Sequence, residues 1–80
     1  MKYRLTQHAT DALKKRRIPN EWVERALFQP EWIEPDDIDP ELEHRLVRIP
    51  EFGGRVLRVI VNPAVDPFRI ITVYFDRGRK

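Results

Sequence analysis

Histidine, arginine, lysine and tyrosine are the side chains in this sequence that can move a proton or hold a phosphate. Cysteine is absent and no serine occurs anywhere in the chain, so thiol and seryl nucleophiles are excluded. The glycines, Gly53, Gly54 and Gly78, form no phosphate-cradling loop, and His8 and His44 stand outside any zinc-type spacing. Hydride, acyl-transfer and nucleotide-hydrolysing chemistries are disfavoured, and neither a cofactor nor a metal is expected. The remaining set suits metal-free cleavage of RNA. There the 2′-OH attacks the adjacent phosphate, a base takes its proton, and an acid protonates the leaving 5′-oxygen. Fixed cations stabilise the charge that builds on the phosphate oxygens, and the arginine fork matches those oxygens bidentately.

Three residues are candidates for catalysis. Arg58 interrupts the apolar Val56 and Ile60 of an expected central strand, as a phosphate-facing cation or as a stem laid over apolar surface. Tyr74 shares that strand face, with a hydroxyl able to bind phosphate or pass a proton, although tyrosine in a half-exposed strand is also ordinary packing. His8 sits in the first turn of a helix, where imidazole can serve as acid or base and where phosphate is attracted; the alternative is a histidine packed beside the helix stripe. Lys14, Lys15, Arg16 and Arg17 form a basic helix end that can tether nucleic acid, and Arg45 is expected to join the same strand face as Arg58. Arg16 falls between Ala12 and Leu13 on the apolar stripe, a position that asks for a carboxylate or helix-end carbonyl partner. His44 falls on the core side of its strand and reads as structural. Trp22 and Trp32 can stack on bases, yet each is better placed to close the core.

The elements that must position these residues can be drawn from periodicity and punctuation. Lys2 to Leu5 reads as a short strand. Thr6 is a helix N-cap, and the first helix runs to about Arg17, with Ala9, Ala12 and Leu13 at one-face spacing. Ile18-Pro19-Asn20 breaks it and opens a second helix with Val23, Ala26 and Leu27 inward, ended by Pro30. Trp32 and Ile33 read as a short strand. Strands over Glu43–Ile49, Arg55–Asn62 and Phe68–Phe75 follow as a meander, turning at Glu51-Phe52-Gly53-Gly54 and at Pro63-Ala64-Val65-Asp66-Pro67. Folding the last hairpin about Val65 sets Leu57 opposite Val73 and Val59 opposite Ile71. Arg58 then meets Thr72, and Val56 meets Tyr74, on the other face. The fold class is α+β: two N-terminal helices on one face of a small antiparallel sheet. The uncovered face carries Val56, Arg58, Ile60, Ile70, Thr72 and Tyr74.

Charge is sorted along the chain. Glu31 to Glu43 holds seven acidic residues and no basic one, while all fifteen Lys and Arg lie elsewhere. The net charge of +2 therefore conceals a strongly basic body and an acidic loop at about residues 34–43. A basic body suits an anionic polymer such as nucleic acid, and the acidic run can modulate that contact. Eighty residues make a single domain, 1–80, with a thin core. The N-terminus lacks an apolar h-region, no run is long enough to span a bilayer, and cysteine is absent; the expected location is cytoplasmic.

Three blocks carry a likeness to a known family. They are Thr6-Gln7-His8-Ala9 with Arg16-Arg17-Ile18-Pro19; Trp22-Val23 to Leu27 and Pro30; and Arg55 to Val61 with Ile71 to Phe75. Together they resemble the family catalogued as domain of unknown function 4258. His8 and Arg16 fall on that family's His and Arg positions. Arg17 stands where the family usually has Gly, and Pro19 where a helix-capping Ser is common. That family in turn looks like the compact RelE/ParE-like toxins of bacterial toxin–antitoxin pairs, small basic two-layer sandwiches that cleave messenger RNA without metal, often on the ribosome, or poison gyrase. The resemblance implies a RelE-like endoribonuclease whose site is the open sheet face, with RNA or the ribosome as target and a cognate antitoxin covering that face. The alternative from the residues alone is a non-catalytic binding module in which the acidic loop meets a basic partner.

Overall fold

The computed structural model describes residues 3–78. Element order is β1 (Tyr3–Leu5), α1 (Gln7–Arg16), α2 (Asn20–Phe28), β2 (Trp32–Pro35), β3 (Glu43–Ile49), β4 (Arg55–Asn62) and β5 (Phe68–Asp76), with a short 3-10 turn at Pro50–Phe52. The strands form one sheet in the order β1-β5-β4-β3-β2. β2 to β5 pair antiparallel, as the meander requires. β1 instead lies parallel to β5, with Tyr3 opposite Phe68 and Leu5 opposite Ile70, so the sheet is mixed rather than antiparallel throughout. Of the first strand expected at Lys2 to Leu5, Lys2 lies outside the described residues, as do Arg79 and Lys80.

Both helices pack on one face of the sheet. Ala9 and Leu13 of α1 and Val23, Ala26 and Leu27 of α2 meet Val47, Ile49, Leu57, Val59, Val61, Ile70 and Val73 in one cluster. The spacing of each helical set puts it on a single stripe, and burial of that stripe rather than intrinsic propensity holds such short helices. Truncating Leu57, which is fully buried, would cost about 2–5 kcal/mol by the usual scale for core cavities.

Local chemistry fixes the ends of α1. The Thr6 hydroxyl accepts from the Ala9 amide at 3.1 Å and donates to the Ile71 carbonyl at 3.0 Å. Arg17 caps the other end in the left-handed region at φ 54°, a conformation that favours glycine. That requirement is the physical sense of the glycine common there in the resemblance. Pro19 occupies the N-cap of α2 and supplies no side-chain cap.

Two corrections concern strand faces. The β3–β4 connection pairs Ile49 with Arg55, so the turn spans Pro50 to Gly54, one residue more than Glu51–Gly54. One extra residue reverses which side every β3 side chain takes. His44 therefore shares the outer face with Arg58, while Arg45 and Val47 turn to the helix side. The second correction is a bulge in β5: Ile60 pairs with Thr72, but Val61 pairs with Ile70. Ile70 is thereby turned into the core. The last hairpin keeps the expected faces but is shifted by two residues, with Val59 opposite Val73 and Arg58 opposite Tyr74.

Candidate functional site

The outer face of the sheet divides into two halves. Toward β2, Arg58 is enclosed by acids. Its Nε and Nη2 donate to Asp76 Oδ2, with the Nε contact at 3.1 Å. Its Nη1 reaches Glu34 Oε1 at 3.3 Å and His44 Nδ1 at 2.6 Å. A guanidinium can only donate, so His44 Nδ1 accepts; Nε2 then carries the hydrogen and donates to Asp36 Oδ1 at 2.6 Å. The Arg58 side chain is 14% exposed. Burial opposes its charge, but the hydrogen bonds and attraction of Asp76, with Tyr74 and Glu34 adding to them, more than offset that, and its pKa is raised. Beneath this layer Leu46 and Val56 are fully buried. The open apolar strip expected of Val56, Ile60 and Ile70 is therefore not present: Val56 is covered and Ile70 lies in the core.

The acidic loop belongs to the same half. Glu34 and Pro35 lie in β2 and Glu43 in β3, so much of the segment is a hairpin. The Asp36 carboxylate accepts from the amides of Asp39 (2.9 Å) and Ile38 (3.2 Å). The Asp39 amide, the His44 contact and the Ile38 amide hold Asp36 down to a pKa of about 2. Arg45 is also structurally engaged. Its Nη1 donates to the Leu27 carbonyl at 2.7 Å, its Nε to Glu43 at 2.8 Å, and its guanidinium lies 5.1 Å from the Phe68 ring centre.

Toward β5 the pattern reverses. α1 follows β1 along the edge of β5 and borders both faces there. Ala9 and Leu13 enter the core, while His8, Ala12, Lys15 and Arg16, on an adjacent stripe, flank Thr72 and Tyr74. The space between them is a cleft of about 540 Å³. Asp11 is the one carboxylate among its described lining residues, and it accepts from Gln7 Nε2 at 2.9 Å. Among the described residues no ion pair involves Lys14, Lys15, Arg16 or Arg17, all of which are exposed. Arg16, expected to need a partner, has none there and borders the cleft. The cleft thus unites His8, Tyr74, Lys15 and Arg16, and leaves out Arg58, Arg45, Lys14 and Arg17. Arg55 and Arg77 adjoin it; Arg77 begins the basic tail Arg77, Arg79 and Lys80, which by sequence can touch phosphate non-specifically, whereas Arg55 carries no site signal in the sequence.

Trp22 closes the core edge, 5.8 Å from Phe52 and 6.2 Å from Phe75 between ring centres. Trp32 lies on the outer face with Arg48 over its ring at 5.9 Å. Among the described residues no group of His, Cys, Asp and Glu is arranged to hold a metal ion, and no helix is long and apolar enough to cross a membrane.

The family described as domain of unknown function (DUF4258) matches residues 5–75. The chain belongs to that family. The match takes in both helices, β2 to β4, β5 as far as Phe75 and the cleft of this DUF4258 domain, and stops one residue before Asp76. No curated protein and no solved structure matches it.

Proposed function

We propose that this DUF4258 protein is a metal-independent endoribonuclease of the RelE-like toxin kind, acting at the α1–β5 cleft. The observation that carries this reading is the joint lining of one cleft by His8, Tyr74, Lys15 and Arg16, with basic groups that have no carboxylate within ion-pair distance among the described residues. In the proposed reaction His8 takes the proton of the 2′-OH as that oxygen bonds to phosphorus. The phosphorus–5′-oxygen bond breaks, and the Tyr74 hydroxyl protonates the departing oxygen. The products are a 2′,3′-cyclic phosphate and a 5′-hydroxyl end, and water returns the proton from His8 to Tyr74. Lys15 and Arg16 face the non-bridging oxygens and stabilise their charge. Arg58, committed to Asp76 and Glu34, is assigned a supporting role behind Tyr74. Messenger RNA, free or on the ribosome, is the proposed substrate, the cytoplasm the proposed location, and an acidic antitoxin the proposed partner.

A non-catalytic binding module is the competing reading, favoured by Ile33 and Ile38 of the acidic hairpin, which are 55% and 92% exposed. Induction in a bacterial host with genome-wide mapping of RNA ends separates the two. Growth arrest with new RNA ends, reduced about 100-fold or more by His8→Ala or Tyr74→Phe in folded protein, is the expected result. Normal growth and intact RNA with abundant soluble protein would sink the nuclease reading. A module would instead respond to the exposed charge reversal Asp37→Lys.

A further inference from the structure

Arg16 and Tyr74 line a second space beside the cleft. It is a groove of about 400 Å³ completed by Phe52, Arg55, Phe75 and Arg77, with three guanidiniums, three aromatic rings and no carboxylate among its described lining residues. The Phe52 and Phe75 rings lie 4.8 Å apart at 33°, and the Arg55 guanidinium sits 5.2 Å from the Phe52 ring centre. Phe52 is 42% exposed. Trp22 packs against it at 5.8 Å between ring centres, and the turn that follows runs through Gly53 and Gly54, whose φ of 66° and 71° glycine adopts without strain. Flat aromatic and guanidinium surfaces take up the face of a nucleobase, and an unpaired base can offer its face; along a duplex the faces are stacked, and phosphates, 2′-hydroxyls and base edges are presented instead.

We propose that this groove is a subsite for single-stranded RNA, taking the nucleotide next to the scissile phosphate. Its base lies against the Phe52–Arg55 platform, and its phosphate lies between Arg16 and Arg77. The inference rests on the RNA reading of the His8–Tyr74 cleft and narrows the substrate to unpaired strands. The shared Arg16 and Tyr74 make the two spaces one track, so a strand can cross both.

Binding is measured apart from cleavage with a fluorescein-labelled 2′-O-methyl oligonucleotide, which lacks the attacking hydroxyl, as a single strand and as a duplex. Fluorescence anisotropy should show the single strand bound about tenfold more tightly or better. Arg55→Ser and Phe52→Leu should each weaken it about fivefold or more, with a smaller change on the duplex. Phe52→Leu keeps an apolar contact for Trp22, and exposed Arg55 carries the test if circular dichroism shows that variant unfolded. Equal affinity for the two forms, no binding of either, or single-strand affinity unmoved by Arg55→Ser would overturn the subsite. Cleavage of unmodified RNA is assayed in parallel. Cleavage without dependence on Arg55 removes the subsite and leaves the nuclease reading; single-strand preference without cleavage does the reverse.

Discussion

The outer sheet face toward β2 and the rim where α1 meets the β5 edge hold similar residue types in opposite electrostatic states. On the β2 side Arg58 is surrounded by Asp76, Glu34 and His44, and His44 by Asp36. On the β5 side Lys15, Arg16, Arg55 and Arg77 make no ion pair among the described residues. A cation already neutralised at contact distance has little left to offer a phosphate, and its carboxylates repel one. A cation with no carboxylate at contact distance keeps more of its attraction. The acidic segment therefore need not oppose an anionic ligand. It neutralises the face where Arg58 sits and leaves the rim basic.

The strongest way to break this contrast is to exchange stability and activity between the two regions. Arg58→Ala removes the cation shared by Asp76, Glu34 and His44 beside buried Leu46 and Val56 and should lower unfolding free energy by about 2 kcal/mol, read from urea denaturation. Arg16→Ala should change stability by no more than about 0.5 kcal/mol while removing RNA cleavage. If Arg58→Ala leaves stability intact and abolishes cleavage instead, the assignment of the two regions is reversed. A smaller effect is expected where α1 ends. Arg17→Gly relieves the left-handed strain and should add about 0.5–1 kcal/mol. The smallest is acid dependence. Asp36 is held at about 2, below its ordinary 3.8, so its contribution is present above about pH 4 and is lost as pH falls through 2. Asp36→Asn should flatten the acid limb of a stability–pH curve in that window. Glu51, also about 2 through its Arg25 contacts, continues to titrate there, so the limb becomes shallower without vanishing.

Much of the frame could be read from residue order because alternation and punctuation act locally. The bounds of β3 and β4 follow from the glycine and proline turns around them, and the joint face of Arg58 and Tyr74 from simple alternation. What escaped depended on single-residue counts. The longer turn before Arg55 exchanged the sides of His44 and Arg45, hiding the acid-enclosed network. The bulge near Ile71 turned Ile70 inward, and periodicity carries no mark of it. Parallel pairing of β1 with β5 joins opposite ends of the chain, beyond the reach of any local pattern. His8, Tyr74 and Arg16 were visible by type, whereas their convergence depended on that long-range pairing. Arg55 and Arg77 gave no signal beyond charge.

The Thr6 contact to Ile71 spans 65 positions, and the cleft is built from the same distant pair of elements. During synthesis α1 emerges early and must wait for β5, the last strand among the described residues, before its cleft side has a strand to meet. Closing so long a loop is entropically slow and is rewarded only when the strands meet. The meander can form its local hairpins first. The basic cleft would then be among the last parts to assemble, so a nascent or C-terminally shortened chain would carry the charges of the site without its shape.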